Sequence, residues 1–221
     1  MGLFSRLFSR RSAPQPASLR ALATFELPLQ DWDEEPQNDV LSRVWRRSDG
    51  SVLTASLTSS AIPDQSIDAF RASAREIAQA QSAGLVEALF VETPSGTGAK
   101  LIYKKGRGMG FVLSGMLFVP LDEGSLVWMA IAGESGTTGL RKAGVTTDLV
   151  NAGALTLDAY ETSWACDPYD PSYKGVDRRC LRYESDDEQY DARFPFHPLT
   201  QVRGMLTDLA RLSVAPGGIQ P

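Results

Sequence analysis

AKLIYKKGRGMGFVLSGMLFVP, residues 99 to 120, decides how this chain folds. Gly106, Gly108 and Gly110 alternate behind Lys104 and Lys105 and around Arg107. Such a run is either a cradle for phosphate or the bend of a sheet. A dinucleotide-binding fingerprint needs a strand, then its glycines, then a helix whose N-terminus faces the phosphates. Here strand-like residues stand on both sides, AKLIYKK before the glycines and FVLSGMLFVP after them. The spacing is GxGxG rather than GxGxxG, the lysines precede the glycines, and the closing Lys-Ser/Thr of the Walker pattern is missing. The stretch therefore reads as a hairpin with a flexible basic tip, and no cofactor is expected. Lys104, Lys105 and Arg107 are the residues through which that tip would meet an acidic partner.

Working outward, the hairpin belongs to a four-strand meander: LVEALFVET (85–93), AKLIYKK (99–105), FVLSGMLFVP (111–120) and LVWMAIAGE (126–134). Each junction carries the glycine or proline that reverses a strand. Upstream, VLSRVWRRSDGSVLTASLTS (40–59) places two strand-like runs around Asp49-Gly50, a dipeptide that tolerates the positive φ of tight hairpins. Neither face of that hairpin is wholly apolar, which predicts substantial solvent exposure and offers Trp45 to a partner. A further strand is expected over 19–29, followed by a solvated acidic loop, DWDEEPQND (31–39). Between hairpin and meander, Ile67, Phe70, Ala74, Ile77 and Ala78 recur at helical spacing, with Ser66 as the cap and Gly84 as the stop. After the meander, residues 135–163 read as helix broken by Gly144 and Gly153.

Strands and helices in this order predict an α+β fold, an antiparallel sheet of hairpin plus four-strand meander flanked by helices. The element order, with the passage from AKLIYKKGRGMGFVLSGMLFVP to LVWMAIAGESGTTGLRKAGV, resembles the PsbP/DcrB-like superfamily of α/β/α sandwich domains over about residues 19–160. The resemblance implies binding or assembly rather than catalysis. Some bacterial members act as adaptor chaperones for secreted effectors.

The expected organisation is a basic amphipathic segment with linker (1–18), the core domain (19–163), an irregular aromatic C-terminal extension packing on it (164–213), and a disordered tail (214–221). In the first segment Leu3, Phe4, Leu7 and Phe8 would share one helical face flanked by Arg6 and Arg10. Such a face docks in a partner's groove or makes a weak peripheral contact with a membrane surface. The alternative is a frayed terminus, since so short a helix is marginal alone. The extension ends in a helix over 197–212, with Pro198 in its first turn and Leu199, Val202, Leu206 and Leu209 on one face.

Chemistry is scarce. His197 is the only histidine, and its place before Pro198 suits a packed residue at a helix start better than a general base. Cys166 and Cys180 lack CxxC spacing, so no zinc site is expected. The cluster ESDDEQYD (184–191) has no glycine within it to turn oxygens onto calcium and reads as a solvated loop that pairs with Arg178, Arg179 or Arg182. No GxSxG elbow occurs. A net charge of -5 argues against a general nucleic-acid binder. With two cysteines, no secretory signal and no apolar run of about 20 residues, a cytoplasmic protein with reduced thiols is expected, a Cys166–Cys180 bridge being the disfavoured alternative.

The expected function is a non-enzymatic protein-binding module: an adaptor, chaperone or accessory factor for another protein. A sheet face carrying Trp45, Tyr103, Phe111, Phe118 and Trp128 is the first place to seek a groove, unless those rings fill the core. The alternative is a hydrolase-type enzyme built from the extension around His197 and an acid such as Asp187 or Asp191.

Overall fold

A computed structural model describes residues 22, 31–36, 41–59, 66–122, 124–162, 164–215 and 218–220. The strand expected over 19–29 and the segment carrying Leu3, Phe4, Leu7 and Phe8 lie outside them, except Leu22, which is helical and buried.

The hairpin that decides the fold is β5 (Gly96–Arg107) and β6 (Gly110–Pro120), with Arg107 paired to Gly110. Gly108 and Met109 alone make the turn. Gly108 takes φ 58, the positive first position of a II′ hairpin, which glycine adopts without a Cβ penalty. The glycines are thus a bend between two strands.

Around it stands one seven-stranded sheet, ordered β1-β2-β3-β7-β6-β5-β4, with every pairing antiparallel. Its other strands are β1 (Trp32–Glu34), β2 (Ser42–Arg47), β3 (Val52–Thr58), β4 (Gly84–Thr93) and β7 (Ser125–Gly133). The meander and the hairpin expected at Asp49-Gly50 join through β3 and β7, so the fold is α+β with a single large antiparallel sheet.

Two helices cover opposite faces. Side chains alternate across a strand. Leu101 and Tyr103 of β5 therefore meet α1 (Ile67–Ala80), while Ile102 meets the last helix, Pro198–Arg211. In α1, Ser66 accepts the Ala69 N–H and buries Phe70, Ala74, Ile77 and Ala78 below it. The expected stop at Gly84 is corrected: Ser82, at φ 55, closes the helix, with its N–H on Gln79 O and the Ala83 N–H on Ala78 O. Gly84 instead opens β4, where a Cβ would stand 2.0 Å from Cys180 O. The last helix seats on Gly115 of β6, whose missing Cβ leaves room for Val202 and Leu206. Its buried leucines each contribute about 1.5–3 kcal/mol.

Ion pairing between neighbouring strands accounts for the next differences from expectation. Part of the acidic loop is strand β1, an edge strand whose Glu34 takes the Arg43 guanidinium (2.8 Å at Nε) and whose neighbour Glu35 pairs with Arg46. Arg43 so neutralised is buried beside Trp45, Leu53 and Ala55. The exposed hairpin expected there is therefore half core.

After β7, α2 (Leu140–Asn151) and α3 (Leu157–Thr162) divide at Gly153, which takes φ 69. Gly144 does not break α2, because it sits against Phe194, whose Cζ is 3.3 Å from a Cβ built there. The extension pairs β8 (Ala165–Cys166) with β9 (Arg182–Tyr183) and runs through 3-10 turns to α4 (Pro198–Arg211). Within the expected disordered tail, β10 (Ser213–Ala215) pairs with β11 (Gly218–Gln220). Cys166 and Cys180 are free thiols. No helix among the described residues is long and apolar enough to cross a membrane.

Candidate functional site: a cleft above a buried ionic floor

Where the extension returns to the sheet it meets charge. The phase that puts Ile102 beneath α4 also puts Lys100 and Lys104 there, and a bulge between Leu85 and Glu87 turns Val86 and Glu87 to the same side. Arg203 enters from α4 among Leu199, Val202 and Leu206, and Arg141 from α2. Each finds anions. Glu87 takes Lys100 at 2.6 Å and Arg203 at 3.0 Å. Asp191 takes Arg203 at 3.0 Å and Arg141 at 2.7 Å. Asp186 takes Lys104 and the Tyr183 N–H. Arg141 spends its other donors on Ser185 O, Asp187 O and Thr200 Oγ1, and Arg203 donates to Asp186 O.

The acidic cluster is therefore not the solvated loop expected. Only Asp187 pairs locally, with Arg182; Asp186 and Asp191 are held by cations from β5, α2 and α4. Burial works against the Asp186 charge, but the Lys104 ammonium, its hydrogen bond and the Tyr183 N–H hold its pKa below the usual carboxylate range. Burial also pulls Lys104 below the ordinary lysine value, with Asp186 opposing. Burial pushes the Tyr183 phenol up to about 12, and the Asp186 charge adds to the shift.

Above this floor opens a cleft of about 400 Å³ between the β7–α2 loop and the segment leading into α4. His197 stands within it as the N-cap of α4, its Nδ1 accepting the Leu199 N–H at 3.2 Å. With Nδ1 so engaged, Nε2 carries the proton and faces Glu134 Oε1 at 3.4 Å. Glu134 also accepts the Gly139 N–H at 3.0 Å and the Phe111 N–H at 2.9 Å. Burial opposes its charge, but His197 and these amides hold its pKa below the usual glutamate value. Asp49 reaches the cleft from the β2–β3 turn, its pKa lowered to about 2 chiefly by the Arg47 hydrogen bond.

The rim is apolar. Leu140 is 60% exposed and Phe196 is 87% exposed, and both line the cleft. Among the described residues only Met109 (92%) and Val150 (42%) join them as large exposed hydrophobics. Neither lines the cleft: Met109 tips the β5–β6 turn, and Val150 lies near the far end of α2 from Leu140. Leu140, Ala143, Thr147 and Val150 make one exposed stripe along α2. The turn carrying Met109 is tied to the cleft through Glu134, which takes the Phe111 N–H and donates its own N–H to Phe111 O.

Of the residues singled out in the sequence, His197 lines the cleft, and Lys105 and Arg107 of the basic hairpin tip are exposed without lining it. Trp45 and Lys104 do not present themselves to a partner. Trp45 packs against Trp128 in the core, and Lys104 is buried over the Tyr183 ring, 3.8 Å from its centroid. Tyr103 and Trp128 are core as well. Leu140, Phe196 and Glu134 escaped the sequence reading. Phe196 was legible only as one of many aromatics, although a phenylalanine between two prolines has little helix or strand to hide in. No group of three or more metal-ligating side chains forms among the described residues.

No protein-family model matches the chain, and no curated protein matches it either.

Proposed function

We propose that this protein is a binding module that receives a short segment of another protein in the cleft between Leu140 and Phe196, acting as a cytoplasmic adaptor, chaperone or accessory factor. One observation carries the reading. Two of the four large exposed hydrophobics among the described residues, Leu140 and Phe196, line a single cleft, and apolar side chains exposed around a cleft mark a recognition surface. The polar floor supports it. Arg141, Glu134 and His197 direct their hydrogen bonds to groups of the fold itself, which orders the cleft. The resemblance to the PsbP/DcrB-like superfamily points the same way.

A second reading, a hydrolase centred on His197, draws on the contact between His197 and Glu134 inside the cleft. It requires a free imidazole lone pair, and the Nδ1 lone pair is committed to the Leu199 amide.

Selection of random dodecapeptides on the immobilised protein tests the two. Binding peptides that are lost on Leu140→Asp/Phe196→Asp, with the circular dichroism spectrum unchanged, are expected. Hydrolysis of a substrate panel that His197→Ala abolishes and Phe196→Asp leaves intact would reverse the assignment.

A further inference from the structure

We infer that His197 is a proton-operated latch: neutral, it caps α4 through the Leu199 amide; protonated, it gives up that cap and forms an ion pair with Glu134 across the cleft. The latch goes beyond the binding reading and works whether or not the cleft is filled.

The cap requires a neutral ring. Pro198, in the first turn of α4, has no N–H, so the Leu199 amide is the first donor of the helix. It donates to His197 Nδ1 at 3.2 Å. An imidazolium carries a proton on both nitrogens and has no lone pair left to accept that bond. Protonation therefore removes the cap outright. Leu199 is 0% exposed, so its amide has no water to turn to, and an orphaned buried N–H is costly. The start of α4 must shift to relieve it.

The new charge has one counterion. His197 lines the cleft and also a small enclosed cavity beneath it. The charged groups facing it across these spaces are already matched. Lys104 of β5 pairs with Asp186, Arg141 of α2 with Asp191, Asp49 of the β2–β3 turn with Arg47, and Arg193 with Asp148. Lys142 of α2 lies over the Tyr183 ring, 4.1 Å from its centroid, and the Tyr183 hydroxyl donates to Arg179 O. Glu134 alone pairs with no other cation among the described residues, and its Oε1 stands 3.4 Å from His197 Nε2. Despite burial its carboxyl lies below the ordinary glutamate range, so it stays ionised over about pH 8 to 5, where imidazoles titrate. Protonation turns this neutral contact into a charged one.

Glu134 belongs to the β7–α2 loop and His197 to the segment leading into α4, the two walls of the cleft. One proton thus loosens the start of α4 and ties the walls together. The lost cap and the gained ion pair oppose each other, so the change is local and global stability moves little.

Because His197 is the only histidine, its ring signals titrate alone. The test is an NMR titration of the full chain from about pH 8 to about pH 5. As the ring takes its proton, the Leu199 amide and the Glu134 carboxyl carbon should shift in step with it. Amide exchange at Leu199, corrected for its intrinsic pH dependence, should accelerate by about tenfold, the scale of a lost N-cap. His197→Asn keeps a capping oxygen that does not titrate, and should hold Leu199 fixed throughout. A ring that titrates while the Leu199 amide neither shifts nor exchanges faster overturns the latch. A ring that stays neutral down to about pH 5, or a Leu199 transition that persists in His197→Asn, overturns it as well.

Discussion

The Tyr169 phenol closes the open edge of the sheet: it accepts the Ala88 N–H at 2.8 Å and donates to the Ala88 carbonyl at 3.0 Å. One side chain thereby does for β4 what a neighbouring strand would do, and it belongs to the C-terminal extension. Around it Arg75 grips Asp167 through two hydrogen bonds, and Arg71 lies over the Tyr169 ring at 4.1 Å. An unprotected edge invites pairing with another chain. Tyr169→Phe leaves both Ala88 groups without their partner and should cost about 1–3 kcal/mol in urea unfolding. It should also raise the aggregation rate during refolding, followed by light scattering. An unchanged midpoint and an unchanged rate would mean that the edge is guarded by something else.

Lys104 and Asp186 give the sharpest test of the ionic floor. Removing one member of a buried pair strands the other charge, at about 3–5 kcal/mol, whereas replacing both by apolar residues is often neutral. Lys104→Met alone should therefore destabilise strongly, and Lys104→Met/Asp186→Leu should recover most of the loss. The coupling is read from a double-mutant cycle by chemical denaturation. Additive losses would show that the two side chains act independently.

Acid should release the same floor. Asp186, Asp187 and Glu134 have folded pKa values below their ordinary ones; burial opposes the charged form in each, and paired cations, the His197 hydrogen bond or backbone N–H groups outweigh it. A depressed carboxyl contributes stability that is full above its unfolded value, about 4, and lost as pH falls through the folded value. Stability should therefore hold on the neutral side and fall below about pH 4, with Asp186→Asn flattening the slope. On the alkaline side Tyr183, raised to about 12 by burial and by Asp186, keeps its proton where an unfolded tyrosine has lost it. Its stabilisation is present below about pH 10 and is lost as pH rises through the folded value. Absorbance titration at an ionised-tyrosine wavelength should show a late step that Tyr183→Phe removes.

How much of this was legible follows from the range of each interaction. The Gly106–Gly110 run, the meander and α1 are written in neighbouring residues, so local pattern was enough. The cleft was not. Lys104 and Asp186 lie 82 residues apart, and Arg203 and Glu87 lie 116 apart. An acidic run reads as solvated until the fold supplies its cations. A trace did exist. Lys100 and Lys104 share the phase of Ile102 in β5, and Arg203 shares the face of Val202 and Leu206 in α4. Charges at apolar positions call for partners. Gly144 and Glu34 illustrate the same limit, one kept helical by Phe194 and the other drawn into a strand beside Arg43.

Site-specific photo-crosslinking measures partner contact at the cleft most directly. A benzoylphenylalanine at position 196 or 140, in the native host, is compared with one at Glu76, exposed on the opposite helix α1. A discrete adduct with a second protein from positions 196 and 140, absent from position 76, is the expected result. Identical labelling from all three positions would contradict a docking cleft between Leu140 and Phe196.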